Sequence, residues 1–255
     1  MKTDILKTLE YSKNLIISPD ADGLMSAELI NRYNGSQIVG TYDKNLLVLA
    51  DDINPEECLF VDCDMNTNKF VSIGNHMRLL NDNMSEKSFN PNVYFGVTNY
   101  TDKFPFATAF LISATIEIQT SEQDHIRMAF ADSTLKNLES YGTNMRNWSS
   151  KIECPATTYI MENTNNAIWL DNKHRETNIQ SLTSKRYGKK RYIETLNEAF
   201  KTQTVPFLPL TMGIRYMADK VGKNTVLKYN QDIISYAEVY SGEYSITYNQ
   251  EIEWK

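Results

Sequence analysis

Six polar side chains follow short apolar runs in the first third of this chain, and their types suit a cation or a phosphate. "NLIISPDADGLMSAELI" (14–30) runs from an apolar stretch straight into Asp20 and Asp22, with Gly23 and a helical pattern behind them. "ECLFVDCD" (57–64) ends in Asp62 and Asp64, and "KFVSIGNHM" (69–77) delivers Asn75 and His76. A single acid after a strand usually caps a helix or makes a turn. Three successive exits of this kind carry more weight, because clustered carboxylates repel one another and shift their pKa upward unless a cation neutralises them. Oxygen donors with one imidazole and no cysteine suit Mn²⁺ or Mg²⁺ better than Zn²⁺. A carboxylate shared between two such ions would hold them about 3.5–4 Å apart, the spacing for in-line attack of water on phosphorus.

For these groups to meet, the runs that carry them must lie side by side. "NLIIS", "SQIVGTY", "NLLVLA", "ECLFVDCD", "KFVSIGNHM" and "NVYFGV" are strand candidates, and "GLMSAELINRY" has apolar residues at helical spacing. Alternation of strands with helical patterns predicts an α/β fold whose sheet is mostly parallel and flanked by helices. In such a sheet, ligands bind at the carboxyl ends of the strands. Helices are expected around 105–120, 122–140 and 190–201, the first of them a buried one within "FPFATAFLISATIEI". The texture changes beyond "NWSSKIECP" (147–155), which places a boundary near residue 150. A domain of residues 1–150 is then followed by a smaller α+β region, 151–255.

The chain has 255 residues, 41% hydrophobic and 23% charged, enough for a sizeable core. A net charge of −6 argues against broad coating of nucleic acid but permits a local basic groove. No stretch approaches the roughly 20 apolar residues of a spanning helix, and no membrane partner is expected. The first residues, "MKTDILKTLEYSKN", lack a signal-type apolar core, and Cys58, Cys63 and Cys154 show no CxxC spacing. A cytoplasmic protein with reduced thiols is expected. The abundance of Asn, Lys, Ile and Tyr hints at an AT-rich bacterial or phage genome, so the compartment would be the host cell if the protein is phage-encoded.

Taken together, the motifs resemble the DHH phosphoesterase superfamily, which includes RecJ-like exonucleases, oligoribonucleases, cyclic-dinucleotide phosphodiesterases and family II pyrophosphatases. "ISPDADGLMSAEL" resembles its first motif, with D-x-D-G on Asp20 to Gly23. "LFVDCD" resembles the second, which gives Asp62 the metal-bridging role. "FNPNVYFGVTNYTDKFPFATAFL" resembles the segment with Asn-Pro and then Pro-x-x-Thr opening a helix. "MAFADSTL" resembles the fourth motif and its metal-binding Asp132. The resemblance covers about the first 140 residues in the family's order. It implies one or two Mn²⁺ or Mg²⁺ ions on Asp20, Asp22, Asp62 and Asp132, helped by His76 and Asn75, with Asp62 and His76 in catalytic roles. The implied substrate is a nucleotide, a short oligonucleotide or a single-strand end.

The third motif departs from the family. Asp-His-His becomes Gly74, Asn75 and His76, so a weaker, neutral amide oxygen stands where the family has a ligand imidazole. Two readings stay open. One is an active hydrolase; the other is a catalytically degenerate DHH-like protein kept as a binding or structural module, of phage origin. The glycine-rich motif that marks the family's substrate domain is missing after residue 150. In its place stands "SKRYGKKRY", where Lys185, Arg186, Lys189, Lys190 and Arg191 interleave with Tyr187 and Tyr192, a combination suited to phosphates and stacked bases of a single strand. The bland alternative is a solvated loop and helix start. His125, two turns before Asp132, could reach the site, although a surface or capping role is commoner, and His174 has no evident partner.

Overall fold

In the computed structural model, residues 1–78, 83–132, 138–163, 188–228 and 233–254 are described. The short apolar runs near the amino terminus, too brief for helices, form β1 (Asn14–Ile17), β2 (Gln37–Tyr42), β3 (Leu46–Ala50), β4 (Leu59–Val61) and β5 (Val71–Ile73), almost wholly buried. Later residues add β6 (Leu210–Gly222), β7 (Ile233–Tyr240) and β8 (Glu243–Ile252). The helices are α1 (Lys2–Leu9), α2 (Ala21–Asn34), α3 (Pro91–Tyr94), α4 (Thr108–Ile116), α5 (Glu122–Ala131), α6 (Leu138–Ile152), α7 (Pro155–Asn163), α8 (Lys189–Phe200) and α9 (Lys223–Lys228).

All eight strands among the described residues belong to one sheet, ordered β5-β4-β1-β2-β3-β6-β8-β7. The fold is α/β as expected, but the sheet is mixed. Pairings among β5, β4, β1 and β2 are parallel, and those from β2 through β3, β6 and β8 to β7 are antiparallel. The change of direction follows from the tight turn between β2 and β3, since a short connection can join only antiparallel strands. The expected boundary near residue 150 falls at the end of α6, and strands from beyond it continue the same sheet through the β3–β6 pairing. No helix among the described residues is long and apolar enough to cross a membrane.

Register sets up the site. Ile17 pairs with Val61, and Val61 with Ile73, so the chain leaves β1, β4 and β5 at one level. Behind the sheet, α4 is buried along its whole length and packs on α2, as its unbroken apolar sequence requires. Burial of each of Phe110, Leu111 and Ile112 there stabilises the fold by about 1.5–3 kcal/mol. One strand candidate is overturned. "NVYFGV" opens with helix α3, because Pro91 sits in its first turn and Asn90 accepts the N–H groups of Asn92 (2.9 Å) and Val93 (3.3 Å). The strand-like pairing beside β5 falls to Phe89 instead.

The antiparallel half then turns back on the parallel half. Single bridges join Met65 to Ser235 and Met77 to Glu238, so β7 lies against the segments leaving β4 and β5. Asn66 N–H donates to the Ile234 carbonyl at 2.6 Å, and Glu238 N–H to that of Met77 at 3.2 Å.

Candidate functional site

The turn after β1 explains the D-x-D-G spacing. Asp20 is the N-cap of α2: its Oδ1 accepts Gly23 N–H at 3.0 Å and its Oδ2 the Ser18 hydroxyl at 2.5 Å. Gly23 is required by close approach, since a Cβ there would fall 2.0 Å from the Ser18 carbonyl oxygen. Asp22, in the first turn of α2, is buried and faces the start of α4. It accepts the N–H groups of Thr108 at 2.7 Å and Ala109 at 2.9 Å, donors that a helix start leaves without an internal partner.

Asp62 leaves β4 in the left-handed region, φ +54°, an uncommon conformation for a residue with a side chain. Its Oδ1 accepts the Thr108 hydroxyl at 2.8 Å. The Pro-x-x-Thr segment thus ties the first two acidic motifs together through one threonine. Burial, then the charges of Asp132 and Asp20, push Asp22 up to about 7 despite its two amide bonds. Burial and the charges of Asp22, Asp20 and Asp132 likewise hold Asp62 well above the carboxylate range.

Two residues further on, Asp64 is equally buried and behaves in the opposite way. Its burial favours the neutral form, but the hydrogen bond and charge of His76, then Arg78 and Asn90, outweigh that and keep its pKa below the usual range. Oδ2 lies 2.7 Å from His76 Nδ1, and Oδ1 accepts Asn90 Nδ2 at 2.7 Å. Arg78 Nη1 stands 3.9 Å away, while its Nη2 donates to the Met65 carbonyl and its guanidinium lies over the Tyr236 ring. Asn92 donates to the carbonyls of Asn75 and His76, so both asparagines of the "FNPN" segment hold the third-motif loop.

Asn75 commits its amide nitrogen to the Phe106 carbonyl (3.0 Å) and to Asp132 (3.2 Å), which leaves Oδ1 as its atom for a cation. Asp132, exposed at the end of α5, is brought to the cluster by that bond. The structure therefore assembles Asp20, Asp22, Asp62, Asn75, His76 and Asp132 from four separate segments. Among the described residues, no three His, Cys, Asp or Glu side chains form a ready-made metal cage. The donor chemistry nonetheless fits a hard divalent cation: the donors are oxygens with one imidazole nitrogen, and burial with neighbouring carboxylate charge pushes two of the acids toward the neutral form, a cost that a cation would offset.

Two cavities meet at His76. The smaller, about 240 Å³, is lined by Ser18, Asp20, Asp62, Asp64, Lys44 and the β7 residues from Ser235. The larger, about 600 Å³, is lined by Asn75, Asp132, Lys103, Lys220 and the tyrosines Tyr100, Tyr141 and Tyr240. Lys44 sits in the turn between β2 and β3 at φ +75°, held where its carbonyl accepts the hydroxyls of Tyr42 and Thr247. Tyr42 also shares a 2.6 Å hydrogen bond with Ser235, which closes β7 over the smaller cavity.

The other expected residues lie elsewhere. Lys189, Lys190 and Arg191 form the exposed first turn of α8 and line neither cavity; Lys185, Arg186 and Tyr187 fall outside the described residues. Tyr192 is buried against Trp254, so it offers no face for base stacking. His125 bonds Thr120 at 2.7 Å and packs on Tyr159, while His174 lies outside the described residues. The three cysteines are free and buried. Sequence reasoning missed Lys44, Arg78 and the β7 residues, because nothing local marks them. Asn90 and Thr108 stood inside a motif whose purpose became visible only with the contacts. No protein-family model matches this chain, nor does any curated protein or solved structure.

Proposed function

We propose that this chain is a divalent-cation-dependent phosphoesterase that cleaves a phosphodiester or phosphoanhydride in a nucleotide, a short oligonucleotide or a single-strand end. The observation that carries the reading is the convergence of Asp20, Asp22, Asp62 and Asp132, with Asp22 and Asp62 both pushed toward the neutral form by burial first and by neighbouring carboxylate charge second. Buried like charges cost stability unless something of opposite charge joins them. Mn²⁺ or Mg²⁺ would be held by these four aspartates with Asn75 Oδ1 and His76, and when bound would lower the pKa of water and neutralise phosphoryl oxygens.

The chain's own groups divide the remaining work. Lys44, across the smaller cavity from Asp20, Asp62 and Asp64, meets the phosphoryl group. His76, at the junction of the two cavities, presents its remaining ring nitrogen to the cation or to the phosphoryl group, and the departing oxygen would be stabilised by the bound cation rather than by a dedicated acid. Ser235, Tyr236 and Ala237 of β7 line one side of the smaller cavity, which limits water there and strengthens the charge interactions inside. A cavity of about 240 Å³ suits one phosphoryl group, so the organic part of the substrate occupies the larger cavity, where tyrosines can stack on it. Lys189, Lys190 and Arg191, with Lys185 and Arg186, guide the distal part of a longer strand. A cytoplasmic setting, in a host cell for a phage protein, remains part of the proposal.

A second reading, a degenerate DHH-like module that binds without cleaving, is favoured by Asn75 in the ligand position and by the lack of a ready-made cage among the described residues. One experiment separates the two. Millimolar Mn²⁺ raises the melting temperature of the wild type, since a ligand of the folded state stabilises it by mass action, and Asp62→Asn removes most of the gain. A melting curve unmoved by Mn²⁺ overturns the metal reading. Stabilisation without cleavage of oligonucleotides, cyclic dinucleotides or pyrophosphate selects the binding module.

A further inference from the structure

Gly74 occupies the place where the resembled motif carries a carboxylate, and the structure shows what fills that space. A Cβ built on Gly74 would lie 2.6 Å from Asp64 Oδ1 and 2.7 Å from both its Cγ and Oδ2. The Asp64 carboxylate stands where a side chain at position 74 would have to begin. The level exits of β4 and β5 make this possible, because Val61 pairs with Ile73 and the two chains leave the sheet together. That carboxylate also receives His76 twice, at the ring Nδ1 (2.7 Å) and at the backbone N–H (3.3 Å). Asn90, whose Oδ1 caps α3, aims the other oxygen, and the buried Arg78 flanks it.

We propose that Asp64 is the positioning residue of His76, fixing the tautomer with the proton on Nδ1, and that positions 64 and 74 are alternative seats for one carboxylate. An ionised carboxylate only accepts, so the ring nitrogen facing it carries the proton and Nε2 keeps the lone pair. His76 lines both cavities, and this arrangement leaves Nε2 as the nitrogen able to take a proton or a cation there. The inference rests on the reading of His76 as a working member of the site.

The test is nitrogen-15 NMR on the full chain with labelled histidine, in chelator and at a pH where imidazoles are neutral. The chain has three histidines, so His76→Gln assigns the signal. The wild type is expected to show protonated Nδ1 and unprotonated Nε2, and Asp64→Ala to shift the population toward protonated Nε2. A wild-type ring protonated on Nε2 overturns the inference without any variant, as does an Asp64→Ala spectrum that keeps the wild-type pattern. The exchange of seats is read by melting. Gly74→Asp alone lowers the melting temperature by about 10 °C, and Asp64→Gly added to it recovers more than half. Additive losses refute alternative seats. Hydrolysis does not enter either readout, so failure of the enzymatic reading leaves the tautomer result standing on its own.

Discussion

Asp62 and Asp64 are two residues apart on one strand exit, equally buried, and opposite in electrostatic character. The side of the site around Asp62 gathers carboxylates: Asp22, Asp20 and Asp132 all raise its pKa, opposed by a single threonine hydroxyl. The side around Asp64 gathers donors: an imidazole, an asparagine amide and a guanidinium. Burial raises both, and is the largest cause at Asp62, so the difference in sign between the two is decided by their neighbours. On the proposed reading the first side would take the cation, whereas the second already has its complement in His76, Asn90 and Arg78. A pair of groups pushed apart in this way commonly marks a division of labour within a reaction site.

The comparison breaks most visibly by removing each acid in turn. Asp64→Ala is expected to destabilise the fold by about 3–5 kcal/mol, the usual cost of deleting one partner of a buried charge network, as read from the denaturant midpoint. Asp62→Asn is expected to act in the other direction, stabilising the metal-free protein by about 1–3 kcal/mol because it relieves repulsion while keeping an acceptor for Thr108. Destabilisation by both substitutions would mean that the two sides are alike and would end the distinction.

A pH series sharpens it. Asp22 rises from its ordinary 3.8 to about 7, so the folded state holds a proton that the unfolded chain has already released. Its contribution is complete below about pH 4 and is lost as pH climbs through about 7, by roughly 1.4 kcal/mol per pH unit. Asp64, depressed, contributes above its ordinary value and loses that contribution as pH falls through its folded value. Melting of the chelated protein should therefore fall in temperature from pH 5 to pH 8, and saturating Mn²⁺ should flatten the slope. A rise over that range would show that Asp22 is not strained.

Smaller effects lie away from the acids. Lys44→Gln should weaken binding of inorganic phosphate or pyrophosphate about tenfold, near 1.4 kcal/mol, with little change in melting. Smallest is neutralisation of Lys189, Lys190 and Arg191. These exposed groups pair weakly with Glu194 or lie over Trp254, and their loss should shift stability by less than about 0.5 kcal/mol. Cleavage of a small chromogenic phosphodiester should be untouched, while the salt dependence of single-strand binding flattens.

How much of this was legible follows from the range of each interaction. The turn at Asp20–Gly23 and the buried α4 are local grammar, written in consecutive residues. The level exits of β1, β4 and β5 could be inferred from repeated strand-then-polar runs. The mixed sheet could not, because β6 reads "LTMGIRYMADKVG", partly exposed and without clean alternation, and its partner β3 is some 160 residues away. The brace on Asp64 was hidden for a related reason. Asp64 stood out as a strand-exit acid, but Arg78 and Asn90 look like ordinary loop residues until the fold places them, with His76, around its carboxylate.

The bridges from β7 to Met65 and Met77 also bear on the order in which the molecule is made. Every carboxylate of the cluster lies between residues 20 and 132, so the acids can converge on a nascent chain well before Ile233–Tyr240 has been synthesised. During that interval Asp62, which lines the same cavity as Ser235, Tyr236 and Ala237, stands open to water that screens its neighbours' charges, and part of the penalty arrives only when β7 is laid beside it. Capture of a cation ahead of closure would let translation deliver a loaded site, and the contacts of highest sequence separation would form last.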